Sequence, residues 1–118
     1  MGVECFCSDL DGTIFFYLFF LKKGVKKIII KKKKERKRII IITRRPSLAA
    51  WITKIQLRFY GVPFDIIRFV GPHKGHNERK LKIIKDMGIK VFYDNDPIVI
   101  KFFSEKGIRV ISYIEMGD

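Results

Sequence analysis

Asp9 and Asp11 stand one residue apart where a short apolar stretch ends, in Cys-Ser-Asp-Leu-Asp-Gly-Thr. A second acidic group, Asp94-Asn95-Asp96, closes another apolar stretch, and the run Ile39-Ile40-Ile41-Ile42 ends in Thr43-Arg44-Arg45. Carboxylates gathered from two separate strands repel one another and are costly to strip of water. A hard cation removes that cost, and carboxylate oxygens with retained waters suit Mg2+. A cation, an attacking aspartate and a nearby lysine together favour phosphoryl transfer. The positive groups neutralise phosphate oxygens, so that a carboxylate can approach them. The Asp-Gly pair is also ordinary turn chemistry. A turn accounts for Asp11-Gly12 but not for Thr43 or Asp94.

For these residues to meet, their stretches must be neighbouring strands of one sheet. In an open parallel sheet, ligands bind outside the carboxyl ends of the strands. The pattern predicts strands over residues 3–8, 39–42, 66–70, 89–93 and 108–112, with 39–42 a fully buried β-branched run. Residues 14–21 are apolar on all sides and fit either a hairpin or a buried helix. Residues 25–37, after Gly24, predict a basic amphipathic helix. Ser47 is placed to cap a helix over 48–60 that stops at Gly61, with Trp51 and Phe59 in the core. Asn77 is placed to cap a helix that ends near Gly88, and a last helix covers 98–106. Strands alternating with helices predict an α/β domain with a mostly parallel five-stranded sheet. At 118 residues, one domain over 1–118 is the expectation.

Two lysines compete for the cleft. Lys80 precedes Ile83, Ile84 and Met87 at helical spacing, at the edge of a buried face; Lys74 lies in the preceding loop. His73 and His76 read as loop residues. Cys5 and Cys7 read as small core residues of a reduced protein. Thirteen of the 25 Lys and Arg lie in residues 22–45, beginning at Lys22 and ending at Arg45, against one acid, Glu35. The net charge of +13 is therefore local to one segment. Such a segment attracts phosphates and steers polyanions, or it is simply a solvated helix face. The apolar run at 14–21 is far shorter than the ~20 residues of a spanning helix, so a cytoplasmic protein with no membrane segment is expected.

Four stretches carry a resemblance. Ser-Asp-Leu-Asp-Gly-Thr at 8–13 resembles the first motif of the haloacid dehalogenase (HAD) superfamily of phosphohydrolases, DxDGT after an apolar strand. The isoleucine run ending in Thr43 resembles the second motif. Lys80 resembles the third, a lysine opening the helix before the fourth strand, and Asp94-Asn95-Asp96 resembles the acidic fourth. The resemblance implies a three-layer Rossmann-like fold and a Mg2+-dependent phosphatase. Asp9 would be the nucleophile that forms an aspartyl-phosphate. Asp11 would be the general acid, its carbonyl also binding Mg2+. Thr43 would hold a phosphate oxygen, with Gly12 and Arg44 beside it. Lys80, or in its place Lys74, would balance charge. Asp94 would bind the metal, joined by Asn95 or Asp96.

The family chooses substrates with cap insertions, and the spacings from Asp11 to Thr43 and from Thr43 to Lys80 leave no room for a cap domain. The cleft is expected to be open apart from a short flap at 14–21. An open cleft admits large phosphorylated substrates. Arg44, Arg45 and the basic segment favour a nucleotide or nucleic-acid end, with Phe15, Phe16 and Tyr17 stacking on bases. The same aromatic flap could join copies into a homo-oligomer. The alternative is a HAD-like module or complex subunit that binds nucleic acid with little turnover.

Overall fold

Four consecutive isoleucines cannot alternate between core and water, so they make a strand only where both faces are covered. The computed structural model builds such a strand. It describes residues 4–16 and 20–113, without the side chains of residues 16 and 20. In chain order the elements are β1 (Cys5–Ser8), β2 (Phe15–Phe16), β3 (Phe20–Leu21), α1 (Lys23–Lys34), β4 (Arg38–Thr43), α2 (Ala50–Phe59), β5 (Ile66–Phe69), α3 (His76–Asp86), β6 (Val91–Tyr93), α4 (Pro97–Glu105) and β7 (Arg109–Ile111).

Five strands form one sheet in the order β5-β4-β1-β6-β7, with every pairing parallel. Period-two alternation sorts β4 between two cores. Ile39 and Ile41 pack with Phe6, Val25, Ile29 and Leu57, under α1 and α2. Ile40 and Ile42 pack with Cys7, Ile84, Val99 and Phe103, under α3 and α4. Helix, sheet and helix make three layers, as in a Rossmann-like domain. Residues 14–21 contain a hairpin, β2 paired antiparallel with β3, rather than a helix. Between residues 11 and 80 the described segments supply only this hairpin, α1, β4, α2, β5 and their connections.

Register sets the site. Ser8 pairs with Ile41 on one side and with Tyr93 on the other. The residues just past those pairs, Asp9, Asp94 and the end of β4, therefore emerge together at one edge of the sheet.

The basic run is carried to the opposite edge. α1 begins beside the carboxyl end of β1 and returns to the amino end of β4, a length of about 18 Å at 1.5 Å per residue. At the near end Lys22 Nζ lies 3.3 Å from the Gly12 carbonyl oxygen. At the far end Lys33 grips Asp65 at 2.6 and 2.8 Å, and Asp65 also accepts from the Ile39 amide at 2.8 Å. These bonds hold the Asp65 carboxyl below its ordinary range. Lys37 reaches Glu4 at 3.5 Å.

Four expectations change. Trp51 and Phe59 are not core residues: they are 67% and 81% exposed, with Leu48, Ile52 and Ile55 exposed beside them. The periodic apolar stripe of α2 faces outward, so helical spacing pointed to the wrong side. The buried side belongs to Leu57 and to Thr53. Phe15 does not stack outward; it is buried and packs 5.6 Å from Tyr60. Ser47 opens a short 3-10 turn, Ser47–Ala49, rather than capping α2, and Gly75, at φ 88°, takes the capping position before α3 in place of Asn77. Cys7 is buried but Cys5 is exposed. Tyr17 and Val3 lie outside the described residues.

Ile41→Ala should cost about 2–5 kcal/mol, the usual loss for a buried isoleucine. Ile55→Ala, on the outer side of α2, should stay within about 0.5 kcal/mol. Urea unfolding of the two variants measures the contrast.

Candidate active site

β1 delivers Asp9 to the sheet edge, where its amide donates to the Tyr93 carbonyl at 3.0 Å. The chain then doubles back. The Leu10 carbonyl accepts from the amides of Thr13, Ile14 and Phe15 at 3.2, 2.8 and 3.0 Å. Gly12 holds φ 80°, a left-handed conformation that a side chain would strain. Its carbonyl accepts from Lys22 Nζ and Asn95 Nδ2, each at 3.3 Å. The loop that carries Asp9, Asp11 and Thr13 is thus fastened to its neighbours.

Asp9 is 7% exposed. Its Oδ1 accepts from Lys80 Nζ at 2.8 Å and its Oδ2 from Thr13 Oγ1 at 3.3 Å. Lys80 is 1% exposed, while Lys74 is exposed in its loop, so Lys80 is the lysine that meets the carboxylates. Arg79 fixes the start of α3 from outside. Its guanidinium donates to the carbonyls of Val70 at 2.7 Å, His73 at 3.0 Å and Lys74 at 2.9 Å.

Asp94 is 2% exposed. Its Oδ1 accepts from the Asp96 amide at 2.9 Å. Its Oδ2 lies 4.0 Å from Lys80 Nζ and has no hydrogen-bond partner among the described residues. Burial, then the charge of Asp9, pushes the Asp94 carboxyl up to about 7, against the pull of Lys80. Asn95 and Asp96 have other partners. The Asn95 Oδ1 accepts from Ser112 Oγ and the Tyr113 amide, both at 2.8 Å. Asp96 caps α4 by accepting from the Ile98 amide at 2.9 Å.

Thr43 is buried, and its Oγ1 accepts from the Arg45 amide at 3.1 Å. Arg44 is exposed at the mouth, its Nη1 3.4 Å from His76 Nε2. Arg45 turns inward. Its Nε and Nη2 donate to the two oxygens of Asp11 at 2.9 and 2.7 Å, and its Nη1 donates to Thr53 Oγ1 and Gln56 Oε1 at 3.0 and 2.8 Å. Asp9, Asp11, Thr43, Arg44, Arg45 and Pro72 line a hollow of about 350 Å³.

The geometry therefore gathers Asp9, Asp11, Thr43, Arg44, Lys80 and Asp94 and leaves Lys74 outside, while Asn95 and Asp96 adjoin the cluster through the Gly12 carbonyl and Asp94 Oδ1. Sequence reasoning missed the fork of Arg45 on Asp11. The available signal was the period of two, which puts Thr43 and Arg45 on one side. No sequence signal marked Arg79.

Two buried carboxylates face one buried ammonium, and Asp94 Oδ2 is left without a donor. With both carboxylates ionised, one negative charge would be uncompensated in a place of low dielectric. Among the described residues no three His, Cys, Asp or Glu side chains converge as a metal cage. A cation here would draw on two carboxylates, a backbone carbonyl, and waters or substrate, which is the habit of Mg2+. The residues fit that ion.

The Asp94 carboxyl titrates higher in the fold than its ordinary value of 3.8. Folding thus favours the protonated form, and stability falls as pH rises from about 4 through about 7. In metal-free buffer, Asp94→Asn should melt above the wild type at pH 8 and with it at pH 4. Thermal melts at the two pH values test this; equal melting at pH 8 counts against it.

No family model matches the chain, and no curated protein matches it. Solved structures do. The fold is similar to a chain in the Pnkp1/Rnl/Hen1 RNA repair complex at TM-score 0.82 and 15% identity, covering 93% of this chain and 42% of that one. It is similar to a chain in another structure of the Pnkp1/Rnl/Hen1 complex at TM-score 0.79 and 16% identity, covering 92% and 45%. The chain spans less than half the length of either neighbour, and at this identity the likeness is one of fold.

Proposed function

We propose that the chain is a HAD-type phosphatase that uses Mg2+ to hydrolyse a phosphomonoester. The observation that carries this reading is the buried Lys80 ammonium 2.8 Å from Asp9 Oδ1, with the unsatisfied Asp94 carboxylate on its other side. In this reading an oxygen of Asp9 attacks phosphorus, the ester P–O bond breaks, and the leaving oxygen takes a proton from Asp11. Water, deprotonated by Asp11, then attacks the phosphorus of the aspartyl-phosphate. Asp9 is released as carboxylate, with inorganic phosphate as the product. Lys80 and Thr43 hold phosphate oxygens throughout. Mg2+, held by Asp9, Asp94 and the Asp11 carbonyl, supplies neutralisation of phosphate charge.

Arg45 conditions this chemistry. A guanidinium fork engages both oxygens of Asp11, so Arg45 competes with the leaving group for that carboxyl. The substrate class we favour is a nucleotide or nucleic-acid end. Its support is the open cleft, Arg44 at the mouth with Arg45 lining the hollow, and structural neighbours from an RNA repair complex. The hold of Arg45 on Asp11 also favours a second reading, a nucleic-acid-binding subunit with little turnover.

Phosphate release from an aryl phosphate with Mg2+, compared between wild type and Asp9→Asn, separates the two. Turnover lost in the variant supports the phosphatase; equal inertness across aryl, nucleotide and oligonucleotide phosphates supports the second reading. Leaving-group dependence tests Arg45. The wild type should favour aryl over alkyl phosphates, and Arg45→Gln should narrow that ratio severalfold, since an aryl oxygen needs no proton to depart.

A further inference from the structure

α2 presents to solvent a stripe that the fold does not use. Leu48, Ile52, Ile55 and Phe59 recur at spacings of four, three and four, with Trp51 beside them, and all are exposed. A soluble helix ordinarily turns such a stripe inward, and this helix already buries Thr53 and Leu57 on its other side. The outer stripe is surplus to folding and marks a contact surface.

Its surroundings say what the contact is. On one flank a groove of about 550 Å³ runs along Ile52, Gln56 and Phe59 and is lined by Arg45 and Pro46. Those two residues also line the hollow at Asp9 and Asp11, so the groove begins where the catalytic hollow ends. On the other flank Lys54, Arg58 and Arg68 line a second hollow of about 550 Å³. One acid lines it, Asp65, and that carboxylate is already taken by Lys33. The pattern is aromatic and apolar surface edged with cations, leading out of a phosphate-sized hollow.

We propose that the outer face of α2 is a binding platform for single-stranded nucleic acid, resting on the phosphatase reading for the position of the terminal phosphate at Asp9. Trp51 and Phe59 offer rings to the bases next to that phosphate. Lys54, Arg58 and Arg68 face the backbone. This division of labour is sequence-tolerant, because every base has a π-face, and salt-dependent, because the backbone contacts are ionic. A second copy is a poor occupant. A two-fold contact across α2 would set Lys54, Arg58 and Arg68 against their own images.

Trp51 is the only tryptophan, so intrinsic fluorescence reads this face directly. The experiment titrates the full-length Asp9→Asn chain with oligoribonucleotides of one, two, four and eight residues bearing a terminal phosphate. Inorganic phosphate and polyglutamate serve as control anions. The expected result is quenching of Trp51 that strengthens with length, weakens with salt and is absent with the controls. Phe59→Ala should weaken the eight-residue ligand about tenfold, the scale of one lost base stack. Oligonucleotides that bind without changing Trp51 emission, or that do not bind, overturn the platform. So does equal quenching by polyglutamate, which would mark an acidic protein partner. So, too, does an emission shift with protein concentration alone, accompanied by dimer in sedimentation. Aryl phosphate turnover by the wild type, measured in parallel, distinguishes the readings. Quenching without turnover removes the phosphatase and keeps the platform; turnover without quenching does the reverse.

Discussion

The buried contact between Lys80 and Asp9 is the constraint around which the rest of the structure is arranged. An ammonium that is 1% exposed is tolerable only beside a carboxylate, and Asp9, nearly as buried, is tolerable only beside a cation. The partners lie 71 residues apart in sequence. Holding them together requires β1, β6 and α3 to end in fixed relation. The parallel register of Ser8 with Tyr93 supplies part of that relation. Arg79, fastened to three carbonyls of the preceding loop, supplies the rest by anchoring the first turn of α3.

The pair does not complete the site's electrostatics. Asp94 adds a second carboxylate to a space that holds one ammonium, and its Oδ2 has no donor among the described residues. A protein interior ordinarily removes such a group or pairs it. Keeping it costs stability at neutral pH, and that cost is intelligible where a cation is to be drawn in. Arg45 imposes a different kind of order. It ties Asp11 to Thr53 and Gln56, so the loop after β1 and α2 share one side chain.

Much of this was legible in the sequence. The isoleucine run, the strand-helix alternation and the glycine stops sufficed for a mostly parallel five-stranded sheet, and the resemblance added the three layers. The carboxylates, Thr43 and Lys80 could be assigned to one end of the sheet because parallel strands share a direction. What escaped were orientations that depend on partners. α2 turns its apolar stripe outward, and only the fold shows that Trp51 and Phe59 lie outside. Thr53 is inside because Arg45 needs its hydroxyl, a fact of packing that no local pattern carries. The choice between Arg44 and Arg45 turns on one residue of phase. Asn95 and Asp96, offered by the sequence as partners of a metal, also have structural bonds: one joins the residues after β7 to the Gly12 loop and the other caps α4.

The placement of the lysine run gives the molecule a polarity. α1 carries Lys31 to Lys34 away from the carboxylates, to the edge of the sheet where β4 begins. The chain is therefore an electric dipole as well as a cation, with its positive pole behind the cleft. In the field of a long polyanion such a body experiences a torque as well as an attraction. It turns the lysine edge inward and leaves the mouth at Asp9 facing away from the surface that holds it. On such a polyanion the mouth would be open to whatever approaches from outside and closed to the stretch beneath.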